Sequence, residues 1–169
     1  MLNEQTFKSS DKMTDIHYVE HYPEKDPKAC LIIAHGIGEY TGRYDEFANF
    51  LTEKNIAVFA LDFIGHGKSV STNKNPMYFG EDGWDFLVKD LVSLNKIAKS
   101  KYPNIPCFML GFSMGSFVLR TALTENAKEY AKILAEISKE RYAVVNASEA
   151  YELYFRGELR LEDKVRVIW

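Results

Sequence analysis

The 169 residues predict an α/β fold with a mostly parallel sheet flanked by helices. Two observations carry this. Three short apolar runs, 29–34, 56–61 and 105–110, read as strands buried on both faces. Between and after them come stretches whose apolar residues fall at helical spacing. Strands alternating with helices call for right-handed crossovers, and such sheets place ligands beyond the carboxyl ends of their strands.

In chain order, residues 15–22 alternate enough for a first strand, marked by Ile16, Tyr18 and His21. Residues 23–28 hold two prolines and several charges and read as a turn. The apolar run 29–34 follows, then a glycine-punctuated loop, 35–43. Tyr44, Phe47, Ala48 and Leu51 define an amphipathic helix over 44–54. The run 56–61 leads into a long loop, 62–77, and Trp84, Leu87, Val88, Leu91, Leu94 and Ala98 mark a second helix. The run 105–110 enters a sharp turn at Gly111-Phe112-Ser113-Met114-Gly115, and a helix leaves it from Met114 to about Thr124.

Residues 125–169 differ in character. Ala127, Tyr130, Ala131, Leu134 and Ile137 suit a charged amphipathic helix, and Tyr142–Val145 a strand. Leu159, Leu161, Val165, Val167 and Trp169 alternate with charge, as in a hairpin turning at Glu162-Asp163. The organisation expected is therefore 1–124 as one portion and 125–169 as a divergent segment completing a single domain.

Bulk composition narrows the function classes. Hydrophobic residues make up 46% and aromatics 14%, enough for a packed core. A net charge of -3 gives no reason to expect nucleic acid or an anionic membrane surface as partner. Cys30 and Cys107 both lie in apolar runs, so buried free thiols are expected rather than a disulfide framework. The polar stretch 1–15 lacks the apolar region of a secretory signal, and no run approaches the roughly 20 apolar residues of a spanning helix. A cytoplasmic location is the expectation.

The chemistry centres on G-x-S-x-G at 111–115. Between an apolar strand and a helix, this pattern forms a nucleophile elbow that lifts Ser113 clear of the sheet. His35-Gly36-Ile37-Gly38 follows a buried strand, as an oxyanion-hole loop should. One donor would be the N–H of Met114, after the nucleophile, and the other that of Ile37. His35 is expected to fix its loop by hydrogen bonding. Asp62 and His66 sit four apart, but without a third ligand nearby a polar loop is the expected reading, not a metal site. An unassisted serine hydroxyl is a weak nucleophile and needs a base. For this elbow the order is Ser, then Asp or Glu, then His. Here all four histidines, His17, His21, His35 and His66, precede Ser113.

The stretches HGIGEYTGRYDEFANFLTEKNIAVFALDFIGHGKS and GFSMGSFVLR resemble the α/β-hydrolase branch of monoglyceride lipases, lysophospholipases and serine aminopeptidase-like hydrolases. The resemblance runs from about Phe7 to about Leu123. It implies a partial α/β-hydrolase fold and a serine hydrolase of acyl esters, acting by acyl transfer to Ser113. It also implies an oxyanion hole from the N–H groups of Ile37 and Met114, a small acyl-ester or lipid substrate, no metal and no organic cofactor. Peptide substrates stay open. Members of this branch continue through a lid and two strands carrying the Asp and the His. Residues 125–169 show no such motif, and acids such as Glu149 and Asp163 have no later histidine to orient. Two alternatives follow: an inactive truncated, rearranged or engineered scaffold, or an acyl-binding module. A sheet short of later strands would expose an edge, inviting homo-oligomerisation unless the terminal hairpin covers it.

Overall fold

The computed structural model describes residues 1–70 and 76–125, with two short strands further on. The strands and helices are β1 (Leu2–Lys8), β2 (Asp15–His21), β3 (Ala29–Ala34), α1 (Asp45–Thr52), β4 (Ile56–Leu61), α2 (Gly83–Lys101), β5 (Cys107–Gly111) and α3 (Met114–Glu125). A 3-10 turn, Thr41–Tyr44, precedes α1. The sheet order is β1-β2-β4-β3-β5. β4, β3 and β5 are parallel, while β1 and β2 join antiparallel on the β4 side.

The strands at 29–34 and 56–61 fall where the apolar runs place them. They are apolar on both faces because helices cover both faces. On one face Val19, Ile33, Val58 and Ala60 bury against Ala48 of α1, with Tyr44, Leu51 and Leu110 packed around them. Phe59 points the other way, and its ring lies 6.1 Å from that of Tyr102, just past the end of α2. The inner face of α2 carries Leu87, Val88, Leu91, Leu94 and Ala98, all buried. Their spacing is the helical repeat read from the sequence.

β1 is the element the sequence hides. Its residues LNEQTFK are polar on both faces and mostly exposed, the mark of an antiparallel edge strand rather than a core one. The turn after β1 is docked by a buried acid. Asp90 on α2 accepts hydrogen bonds from Ser9 Oγ (2.7 Å) and the Ser10 amide (2.8 Å). Burial outweighs these bonds and pushes the Asp90 carboxyl above its ordinary value. Glu20, also buried, is met by Lys101 Nζ at 2.6 Å and the Tyr102 hydroxyl at 2.9 Å.

The chain divides into two units, Met1–Ala122 and Leu123–Trp169. In the second, Val144–Val145 pairs in parallel with Arg166–Val167. The expected helix over 127–137 and the hairpin turn at Glu162-Asp163 lie outside the described residues. No helix among the described residues is long and apolar enough to cross a membrane.

Candidate active site

β3 and β5 are adjacent and parallel, so the loops leaving their carboxyl ends meet. Ser113 stands between β5 and α3 with φ +48°, a left-handed backbone rare for a residue with a side chain. The turn is held by the Phe112 amide donating to Ala34 O, and by the Gly115 and Ser116 amides donating to Phe112 O and Ser113 O, each at 2.9 Å. Glycine is required at both ends. A Cβ on Gly115 would lie 2.0 Å from Ala34 O, and one on Gly111 2.6 Å from Ser116 Cα. α3 thus rides directly on the end of β3. Ser113 is exposed, and its Oγ makes no hydrogen bond among the described residues.

The loop after β3 closes on this elbow. A Cβ on Gly36 would be 3.2 Å from Ser113 Cβ and 3.2 Å from the Phe112 ring. The amides of Ile37 and Met114 have no hydrogen-bond partner among the described residues. Ile37 and Phe112 are each 57% exposed, and Met77 Sδ lies 3.8 Å from where a Gly38 Cβ would stand. The loops that meet near Ser113 thus carry an exposed apolar rim of Ile37 and Phe112, with Met77 beside Gly38.

Glu39 organises the loop and was not apparent from the sequence. Its Oε2 accepts from the Gly36 amide (2.9 Å) and the Tyr44 hydroxyl (2.8 Å), and Oε1 meets Arg43 Nε at 3.2 Å. Burial works to raise its pKa, but the Gly36 and Tyr44 bonds and Arg43 prevail and hold it below the usual glutamate value. Burial and the bond to Glu39 push the Tyr44 phenol up. The available signal was a carboxylate three residues after a glycine whose amide needs an acceptor.

His35 locks the loop to the next strand. The Phe63 amide donates to its Nε2 (3.0 Å), so Nδ1 carries the proton and donates to Gly36 O (2.7 Å). Burial, the largest influence, keeps its pKa below the ordinary histidine value. Both ring nitrogens are occupied, so His35 is a fixed neutral hydrogen-bonder.

Asp62 is saturated. It accepts from the Thr41 amide (2.7 Å) and the Lys68 amide (2.9 Å), and faces His17 Nδ1 at 2.8 Å. Gly67 is wrapped so closely around it that a Cβ there would be 2.3 Å from the carboxylate. The remaining histidines are similarly committed. His17 Nε2 meets Glu4 at 3.1 Å, and His21 contacts Asn49 and Asp45, both at 3.2 Å. His66 donates from Nδ1 to Ile64 O (3.0 Å). Its Nε2 is buried without a partner among the described residues, and its ring lies 5.1 Å from that of His35. The elbow and the His35–Gly38 loop come together as expected, whereas no histidine hydrogen-bonds Ser113.

A cleft of about 170 Å³ opens beside β1, lined by Glu4, His17, Tyr40, Asp62 and Lys68 among others. Ser113 is not among its lining residues.

A mixed five-stranded sheet with an elbow after β5 and a glycine loop after β3 defines an α/β-hydrolase fold. The profile of the serine aminopeptidase (S33) family matches residues 25–136, and the chain belongs to that family. It is 37% identical over 121 residues to a monoglyceride lipase homolog of Monkeypox virus, covering 71% of this chain and 42% of the viral protein. It is 34% identical over 112 residues to the monoglyceride lipase of Rattus norvegicus, covering 66% of this chain and 35% of the rat enzyme. A thermostable carboxyl esterase from Bacillus coagulans, solved with glycerol, superposes with a TM-score of 0.68 at 25% identity, over 94% of this chain and 55% of the esterase. The chain thus spans well under half the length of these two curated relatives.

Proposed function

We propose that this chain carries the nucleophile and oxyanion half of an acyl-ester hydrolase site, with the proton acceptor supplied from outside the described residues. Ser113 Oγ attacks the ester carbonyl carbon, its proton passes to that acceptor, and the alcohol leaves to give an acyl-serine that water then hydrolyses. The N–H groups of Ile37 and Met114 receive the developing oxyanion. The observation that carries this reading is the left-handed, exposed Ser113 with Gly36 packed against it, the loops of both unpartnered amides meeting there. The apolar rim of Ile37, Phe112 and Met77 suits a fatty acyl chain, and the relatedness to monoglyceride lipases favours monoacylglycerol- or lysophospholipid-type esters.

A second reading, an inherited scaffold without turnover, is favoured by the absence of any hydrogen bond to Ser113 Oγ among the described residues. A fluorophosphonate probe separates the two. The proposal expects a phosphonyl adduct on Ser113, seen by intact mass and peptide mapping and lost in Ser113→Ala. No adduct, or an adduct that survives this substitution, supports the scaffold.

A further inference from the structure

β3 and β5 are paired in a register that sets Cys30 directly opposite Cys107. Directly paired residues share a sheet face. Here it is the face under α2, because Cys107 Sγ lies 3.9 Å from Asn95 Oδ1 on that helix. Both thiols are free, Cys30 fully buried and Cys107 half-buried. Neighbouring strands stand about 4.8 Å apart. That lies within the Cα separation of about 4.4–6.8 Å that a disulfide spans.

We propose that Cys30 and Cys107 form an oxidisable dithiol site, closing to a reversible cross-strand disulfide when the chain meets a peroxide. In the first step the Cys107 thiolate attacks a peroxide oxygen. The O–O bond breaks, hydroxide (or alkoxide) leaves, and Cys107 becomes a sulfenic acid. In the second step the Cys30 sulfur attacks the Cys107 sulfur. The S–S bond forms, the S–O bond breaks, and the departing hydroxide takes the Cys30 proton as water. Two thiols lose two electrons in all, and the peroxide is reduced.

The order of attack follows from the surroundings. Cys107 Sγ also lies 4.0 Å from its neighbour Phe108 O, so the sulfur sits at the helix-covered face within reach of polar groups. Cys30 is fully buried in the sheet. Cys107 is the more exposed residue of the pair, so its sulfur, once deprotonated, is the one an incoming peroxide reaches first. Cys30 is shielded from external thiols by the sheet, so the sulfur opposite it is the available partner.

A relaxed disulfide takes a Cβ separation of about 3.8 Å. Closing it would draw β5 toward β3, and among the described residues β5 ends the five-stranded sheet. A bond formed under such tension is readily reduced. It would tie together the two strands that feed the Ser113 elbow and the His35–Gly38 loop.

The test treats the whole chain with dilute hydrogen peroxide. Alkylation with N-ethylmaleimide in denaturant follows, then intact mass and a non-reducing digest. The expected result is loss of both alkylatable thiols, a mass lower by two hydrogens, and a single linked peptide pair that dithiothreitol releases. Cys30→Ser should instead accumulate a sulfenic acid trapped by dimedone, and Cys107→Ser should keep Cys30 alkylatable. Persistence of both thiols overturns the proposal. So does a Cys107 sulfinic acid beside a free Cys30, or a covalent dimer through Cys107.

Discussion

Ser113 holds φ +48° although a side chain disfavours it, and strain of this kind costs about 1–3 kcal/mol. Ser113→Gly relieves that strain but adds chain entropy to the unfolded state. The expected outcome is a gain of about 1 kcal/mol in urea unfolding together with loss of probe labelling. A destabilised glycine variant would mean the elbow is not strained. His35 and Glu39 give the same loop an acid-sensitive hold. Both have folded pKa values below their ordinary values of 6.5 and 4.5. Groups depressed on folding contribute stability that is present above the unfolded pKa and lost as pH falls through the folded one. Thermal midpoints should therefore drop as pH falls below about 6.5, through His35, and again below about 4.5, through Glu39. Glu39→Gln should flatten the second fall, and an unchanged profile in that variant would remove Glu39 from the account. Replacing Ile37 with proline deletes one proposed oxyanion donor and should lower serine-dependent ester hydrolysis about 10²–10³-fold. Its melting curve shows whether the loop still folds.

At the scale of elements, the close ride of α3 on β3 makes Gly115 the least replaceable glycine of the elbow. Gly115→Ala places a Cβ 2.0 Å from Ala34 O and should cost about 2–3 kcal/mol in denaturant unfolding. A neutral effect would mean that α3 is free to slide. Leu91, fully buried on α2, should cost about 2–5 kcal/mol when cut to alanine. Legibility varied with the chemistry of each element. β3 and β4 were readable because continuous apolar runs have few other uses in a chain of this size. The turn at Ser113 was readable because glycine, serine and glycine in that frame answer a steric demand. β1 was not, because an exposed edge strand needs no apolar pattern and LNEQTFK offers none. Glu39 was missed because its value lies in meeting the Gly36 amide, and only the folded loop reveals that need. The facing of Cys30 and Cys107 depends on strand order, which the linear pattern does not contain.

Taken as a whole, the unit sets Ser113 and the His35–Gly38 loop together at the carboxyl ends of parallel strands, and its histidines are committed elsewhere. His17, His21 and His35 have both ring nitrogens engaged, and His66, its ring 5.1 Å from that of His35, makes no hydrogen bond to Ser113. Assayed without an outside proton acceptor, the proposed site would still retain roughly 10³–10⁴-fold catalysis over water from the oxyanion hole and binding. The most direct measurement is hydrolysis of p-nitrophenyl butyrate by the chain beside Ser113→Ala, with pH varied through neutrality. The account predicts slow, serine-dependent turnover that rises with pH without an inflection in the histidine range. Rates equal to those of Ser113→Ala, or fast turnover titrating near a histidine pKa, would contradict it.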